Sequence, residues 1–364
     1  MEDFASPRIK VAIDARLVSG NATGDSTYWT ELLRAMQPQL TDVQLLLLTN
    51  ADPSAEIPET DRCQWVRVPG RSSRLWSLFA FPFAARRLGA DLAHTQYTLS
   101  PLVRRGVTTV HDVSFLIGPD WFKPRDRFLL QRTVPDSCRR AARILTVSET
   151  SRSEIERLIP AARGKVVATP LGCPTWIQPV PREDARAIVA SKLGLSEPYA
   201  LTVGTSWPRK NLQLALDAMD RLPADVPHVL ALTGKSGWGD QALGARGRAL
   251  GYVDRNLLSA LYSGADLYLC PSRHEGFGIP ILEAFRCGCP VVASSGGALP
   301  EVADDAAEIV LSWSPEAWAR RIETLLRDPS KLDFLRERGY RREREFSWEE
   351  TARRTLDVYR QVAS

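Results

Sequence analysis

Short apolar runs alternate with stretches of helical periodicity along most of this chain. IKVAID (9–14), VQLLLLT (43–49), WVRV (65–68), DLAH (91–94), VTTVHD (107–112), RILTVS (143–148) and KVVAT (165–169) read as strands. Helical patterns fill most of the gaps, at 26–37, 74–88, 124–142 and 149–159. Near-continuous apolar strands separated by helices predict a parallel sheet covered on both faces. Residues 169–181, TPLGCPTWIQPVP, hold four prolines without periodicity, which predicts an inter-domain linker. The pattern then restarts with YALTVGT (199–205), HVLALTG (228–234), RALGYV (248–253), ADLYLCPS (265–272), CPVVAS (289–294) and AEIVL (307–311). The tail from 315 to 364 is helical and arginine-rich.

The expected fold class is therefore α/β, with two Rossmann-like doubly wound domains at 1–172 and 173–346. A length of 364 residues exceeds the roughly 100–200 of one domain, which agrees. Ligands in such sheets bind beyond the carboxyl ends of strands, so two facing sheets predict a central cleft. Hydrophobic residues at 44% and charged residues at 25% are ordinary for globular chains. A net charge of +4 is too weak to imply nucleic acid and suits an anionic small ligand or an acidic membrane surface.

The six cysteines are scattered; Cys287 and Cys289 form C-x-C with no second pair for a zinc site. Buried thiols in a reducing compartment are expected. MEDFASPRIK has no apolar signal core, and no run approaches the ~18 apolar residues of a membrane span. The expected localisation is cytoplasmic. No G-x-G-x-x-G follows a strand, and TGKS (233–236) lacks the earlier glycine of a phosphate loop. Neither H-E-x-x-H nor D-x-D occurs, and no metal site is readable.

Four constellations remain. HEGFGIPILEAFRCGCP (274–290) follows an apolar strand. Gly276 and Gly278 permit a tight bend around Phe277, and Pro280 opens a helix. N–H groups near Phe277–Ile279 form an anion site, with Glu275 ahead of it and Glu283 about a turn inside the helix. That arrangement suits a diphosphate with hydroxyls on both sides; a buried junction with a capping glutamate is the alternative. VGTSWPRKN (203–211) sets Arg209 and Lys210 after a strand ending in Gly204, where paired cations neutralise a diphosphate or form a solvated basic turn. IDARLVSGNATGDSTYW (13–29) offers Gly20 and Gly24 in a loop after the first strand. TVHDVSF (109–115) puts His111 and Asp112 at another strand end, where histidine can hydrogen-bond a hydroxyl or stabilise charge.

With CGCPVVASSGGALPEV (287–302) and LGYVDRNLLSALYSGAD (250–266), these motifs resemble, over nearly the whole chain, the retaining nucleotide-sugar glycosyltransferases of family four, which have the GT-B fold. The resemblance implies that Glu275 contacts donor-sugar hydroxyls with the N–H groups of Gly276, Phe277 and Gly278. It implies Glu283 on the ribose, Lys210 with Arg209 on the diphosphate, and Gly251–Val253, including Tyr252, near the base. It also implies His111 on the donor sugar, the Gly20–Gly24 loop over the diphosphate, and the helix from about 347 to 364 crossing back onto the first domain. Two positions depart from the family pattern. Thr205 stands where many members carry arginine, and GDSTYW puts Asp25 near the phosphate approach.

The implied reaction moves a hexosyl group, mannosyl or glucosyl in type, from a nucleoside diphosphate sugar to a glycan, lipid-linked or small-molecule hydroxyl. Neither metal nor other cofactor is expected, because Lys210, Arg209 and helix N-termini offset the phosphate charge. A sugar-nucleotide epimerase, a glycan phosphorylase and a non-catalytic nucleotide-sugar-binding protein are the alternatives. Two arginine-flanked apolar stretches, 71–87 and 121–140, read first as helices with a core face and solvated arginines. Their second reading is peripheral contact with an anionic membrane carrying the acceptor.

Overall fold

The computed structural model describes residues 9–18, 24–70, 72–235, 237 and 242–364. Gly20 and Ser236 lie outside the described residues. The chain divides into one unit of Met1–Leu116, Lys123–Leu171 and Ser347–Ser364, and a second of Ile117–Phe122 and Gly172–Phe346.

In the first unit the apolar runs become β1 (Ile9–Asp14), β2 (Val43–Thr49), β3 (Cys63–Arg67), β4 (Leu92–Gln96), β5 (Gly106–Thr109), β6 (Arg143–Thr146) and β7 (Val166–Ala168). They form a parallel sheet in the order β3-β2-β1-β4-β5-β6-β7. The helices are α1 (Gly24–Met36), α2 (Ser73–Leu75), α3 (Phe81–Arg87), α4 (Ser114–Ile117), α5 (Pro124–Arg140) and α6 (Glu149–Leu158). The single helix expected at 74–88 instead contains a π turn, Trp76–Ala80, between α2 and α3. Pro82 explains the irregularity. It has no N–H to give the carbonyl of Leu78, which accepts from the Ser100 hydroxyl at 2.7 Å instead.

The second unit repeats the plan. Strands β8 (Tyr199–Val203), β9 (Val229–Thr233), β10 (Gly247–Gly251), β11 (Leu267–Cys270), β12 (Val291–Ser294) and β13 (Ala307–Val310) run parallel in the order β10-β9-β8-β11-β12-β13. Helices α7 (Arg182–Leu193), α8 (Leu212–Asp220), α9 (Arg255–Gly264), α10 (Ile279–Arg286), α11 (Leu299–Ala303), α12 (Pro315–Leu326) and α13 (Pro329–Glu343) connect and follow them. Leu216 and Met219 of α8 pack with Trp318 and Ile322 of α12 and with Leu230 and Leu267 of the sheet. In both all-parallel sheets the strand order reverses at one point, between β1 and β4 and between β8 and β11. Those switch points are where doubly wound sheets bind ligands.

The last helix, α14 (Trp348–Ala363), is capped by Ser347, whose hydroxyl accepts from the Glu350 N–H at 3.1 Å. It belongs to the first unit, where it buries Trp348, Leu356 and Tyr359 and ties Arg360 to Asp42 at 2.8 Å. Two stretches of the expected 1–172 domain fall elsewhere: Gly172 opens the second unit, and an internal segment joins it. Ile117–Phe122 belongs to the second unit, where the Trp121 ring lies against His274, with centroids 6.4 Å apart. All six cysteines are buried and free. Among the described residues no helix is long and apolar enough to cross a membrane.

Candidate functional site

The second unit gathers its candidate residues at the β8/β11 switch point. β8 stops at Val203, so Gly204 and Thr205 lie beyond it rather than in the strand. Arg209 and Lys210 sit on a short 3-10 turn, Pro208–Lys210, and Asn211 takes a left-handed conformation before α8 begins. They are thus displayed ahead of the helix and not in its first turn. Both turn onto the loop that follows β11. Lys210 Nζ lies 2.7 Å from Glu275 Oε1, and Arg209 Nη1 lies 2.8 Å from Oε2. The Ser272 hydroxyl donates to Oε1 at 2.6 Å. Arg209 also donates to the His274 carbonyl, and its own carbonyl accepts from the Arg273 N–H at 2.7 Å. Lys210 passes so close to Gly204 that a Cβ there would lie 3.3 Å from its Cε.

Burial acts to raise the Glu275 pKa. The charges of Arg209 and Lys210, with hydrogen bonds from Lys210 and Ser272, outweigh it and hold the carboxyl well below the usual carboxylate range. Glu275 is therefore ionised. Two cations against one carboxylate leave a single positive charge in the cluster. The roles implied by the family pattern separated Glu275 from the cations; the structure joins all three by direct ion pairs.

The glycine bend is held from below. Glu275 makes an isolated parallel bridge to Gly297, and its carbonyl accepts from the Ala298 N–H at 2.9 Å. Gly297 has φ +62°, and a Cβ there would lie 2.3 Å from the Glu275 carbonyl oxygen. Gly278, at φ +102°, caps α10. Pro280 has no N–H and that of Ile281 donates to the Gly278 carbonyl at 2.9 Å. The Ile281 N–H is thus taken within the turn, and the anion-binding expectation does not extend to it. Phe277 is buried edge-on against Phe346, with centroids 5.6 Å apart.

Glu283 is buried on α10, where its Oε2 accepts from the Tyr262 hydroxyl at 2.7 Å. Burial raises its pKa to about 7 against the lowering effects of Tyr262 and Lys210. Tyr262 and Ser272 escaped the sequence reading. The only trace of Tyr262 is its place on the buried face of α9, whose start is fixed by Asp254 accepting from Asn256 and Leu257 N–H, both at 3.0 Å. Between Gly251 and that cap, Tyr252 is exposed under Lys235 Nζ, 5.7 Å from the ring centroid, and Val253 is buried.

His111 and Gly24 belong to the first unit. His111 stands past the end of β5, its Nε2 against the Gln96 side chain and 3.6 Å from Asp25 Oδ1. Burial lowers its pKa, with Asp25 and Asp112 acting the other way. Asp112 accepts from the Ser114 N–H at 2.8 Å where α4 begins. Gly24 is the first residue of α1, one turn before Tyr28, whose ring meets His111 edge-on at 4.7 Å. Behind Tyr28 runs a buried chain that sequence reasoning missed. The Tyr28 hydroxyl meets Thr109 Oγ1 at 3.0 Å, Thr109 meets His94 Nε2 at 2.7 Å, and His94 Nδ1 meets the Tyr359 hydroxyl of α14 at 2.6 Å.

Residues 185–342 match the family described as glycosyl transferases group 1, and residues 22–175 match glycosyltransferase family 4. The chain is 38% identical over 272 residues to O-antigen chain mannosyltransferase B of Escherichia coli, covering 71% of each chain. It is 30% identical to a D-inositol 3-phosphate glycosyltransferase of Xylanimonas cellulosilytica, covering 94% of this chain and 93% of that one. In fold it is similar to sucrose-phosphate synthase from Thermosynechococcus elongatus, with a TM-score of 0.76, 22% identity and coverage of 98% and 99%. It is also similar to Anabaena HepE solved with UDP and glucose, with a TM-score of 0.70, 18% identity and coverage of 97% and 100%.

Proposed function

This chain belongs to the family 4 glycosyltransferases, with the GT-B fold of two Rossmann-like domains, and from that premise we propose a donor, a site and a mechanism for its transfer reaction. The donor is a nucleoside diphosphate sugar carrying a mannosyl- or glucosyl-type group. The acceptor is a hydroxyl of a glycan, a lipid-linked or a small-molecule substrate. The observation that carries this reading is the net positive Arg209–Lys210–Glu275 cluster at the β8/β11 switch point, beside the glycine bend that opens α10. A diphosphate competes for the two cations there, and arginine grips it bidentately. Glu275, freed in part, then accepts from sugar hydroxyls, and Glu283 meets the ribose. Gly204 and Thr205 lie on the diphosphate approach, with Tyr252 and Val253 toward the base. His111 keeps the family role of a hydrogen bond to the donor sugar, and Gly20 and Gly24 that of the closing loop.

Glu275 is a poor proton acceptor, because its cations hold it ionised at low pH. This favours a retaining transfer without a protein base. The acceptor oxygen forms its bond to the anomeric carbon on the face the phosphate leaves, and the departing phosphate takes the acceptor proton. The residues orient the partners and stabilise charge. Because Lys210, Arg209 and the α10 start supply positive charge, the reaction proceeds without a metal. The relatives' named activities are transfers, which favours this reading over epimerisation or passive binding. A thermal-shift screen of GDP- and UDP-sugars tests it. One donor class should raise the melting temperature of the wild type and not of Lys210→Ala, and support transfer in the presence of EDTA. No stabilisation by any nucleotide sugar overturns the assigned site.

A further inference from the structure

The continuous helix built from α2, the π turn and α3 is apolar on two faces. On one, Trp76, Phe81 and Ala85 are buried against Ala12, Leu46 and Leu48 of the first sheet. That face satisfies the core. On the other, Leu75, Phe79 and Phe83, spaced four apart, are 59%, 49% and 59% exposed. A surface helix normally turns polar residues outward, and a helix apolar all round is normally covered. The neighbouring turn, whose Ser100 hydroxyl holds the Leu78 carbonyl, adds Leu102 at 46% exposure.

The segment that carries this stripe has charge of one sign, although its Arg67 pairs with Asp52 of a neighbouring turn. From Arg62 to Ala90 the chain holds six arginines and neither aspartate nor glutamate. Exposed Arg74 flanks the stripe at one end, and exposed Arg86 and Arg87 flank it at the other. Aromatic and leucine side chains between exposed arginines are the composition of a helix that lies in a bilayer interface, its apolar residues in the acyl boundary and its cations among anionic headgroups. We propose that the Leu75–Phe79–Phe83 face of the first domain docks on the surface of an anionic lipid bilayer. The first reading of 71–87, a helix with a core face and solvated arginines, holds for Trp76, Phe81 and Ala85 and for Arg74, Arg86 and Arg87; the exposed stripe is a second apolar face beside it.

The proposal stands apart from the donor site, so vesicle flotation of the full chain tests it alone. The wild type should float with phosphatidylcholine vesicles containing phosphatidylglycerol and not with phosphatidylcholine alone, and binding should weaken as salt rises. Two variants, Leu75→Ser/Phe79→Ser/Phe83→Ser and Arg74→Glu/Arg86→Glu/Arg87→Glu, should each lose binding, the second by on the order of a hundredfold. Both should keep the wild-type thermal shift with donor, since none of these residues is placed in the donor site. Wild type that fails to float, or a charge-reversal variant that floats as the wild type does, overturns the proposal. So does concentration-dependent dimerisation that the serine variant abolishes without any vesicle binding, which assigns the face to a second copy.

Discussion

Glu275 and Glu283 are the same residue type eight positions apart, yet their surroundings drive them in opposite directions. Two cations and a hydroxyl converge on Glu275; a tyrosine hydroxyl and burial dominate Glu283. Lys210→Ala should therefore leave the fold intact, because Arg209 and Ser272 still serve Glu275. Turnover should fall by ~10²–10³, the usual cost of one charge-stabilising donor, measured by donor consumption. Wild-type turnover in that variant removes the basis for the cation cluster. Glu283 makes a pH prediction. Its folded pKa of about 7 lies above the unfolded value of 4.5. Between those values the folded state holds a proton that the unfolded state has lost, so stability declines as pH rises through this window and levels above it. Glu283→Gln can still accept from Tyr262 and cannot titrate. In this variant the urea-unfolding free energy of the second unit's transition should lack that decline, and parallel profiles for the two proteins refute the assignment.

At the scale of elements, the β11–α10 loop owes its shape to the β12–α11 turn beneath it. A Cβ at Gly297 meets backbone, which cannot swing away, and the residue's φ is positive besides. Gly89 makes a matched control, with φ +71° and nothing within 4 Å of its Cβ. Gly89→Ala should cost roughly 1–2 kcal/mol and leave turnover unchanged. Gly297→Ala should cost more and lower turnover as well, since the displaced carbonyl belongs to Glu275. Equal effects on both readouts would refute the clamp. The same loops show what was legible in the chain. Strands, most helices and the residue types at strand ends follow from local periodicity, and Arg209, Lys210 and Glu275 were found that way. Their mutual ion pairs were not, because 65 or more residues separate the partners. Tyr262 and Glu283 meet across 21 positions, and His94 and Tyr359 across 265, separations that leave no periodic trace. The π turn escaped although Pro82 stands in the segment, because the Ser100 hydroxyl that serves the freed Leu78 carbonyl comes from another segment.

At the scale of the whole molecule, two units with separate sheets and cores should unfold in two transitions, and their buried titrating groups should make those transitions respond to pH with opposite signs. In the first unit, burial lowers the His94 pKa from 6.5 to about 3. Between those values the unfolded state binds a proton that the folded state refuses, so stability rises with pH up to 6.5. In the second unit, Glu283 acts from 4.5 to about 7 and lowers stability as pH rises. Over the shared window of 4.5 to 6.5, the first transition should move up relative to the second. Differential scanning calorimetry reads the spacing, and hydrogen exchange in α14 and α10 identifies which transition belongs to which unit. His94→Gln should reduce the rise of the first to the part that His111, also lowered by burial, contributes, and Glu283→Gln should remove the fall of the second. Both variants will shift absolute stability, since each alters a buried hydrogen bond, so the pH slope of each transition is the quantity to compare. A wild-type spacing that stays constant across the window, or that keeps its slope in both variants, removes His94 and Glu283 as the source.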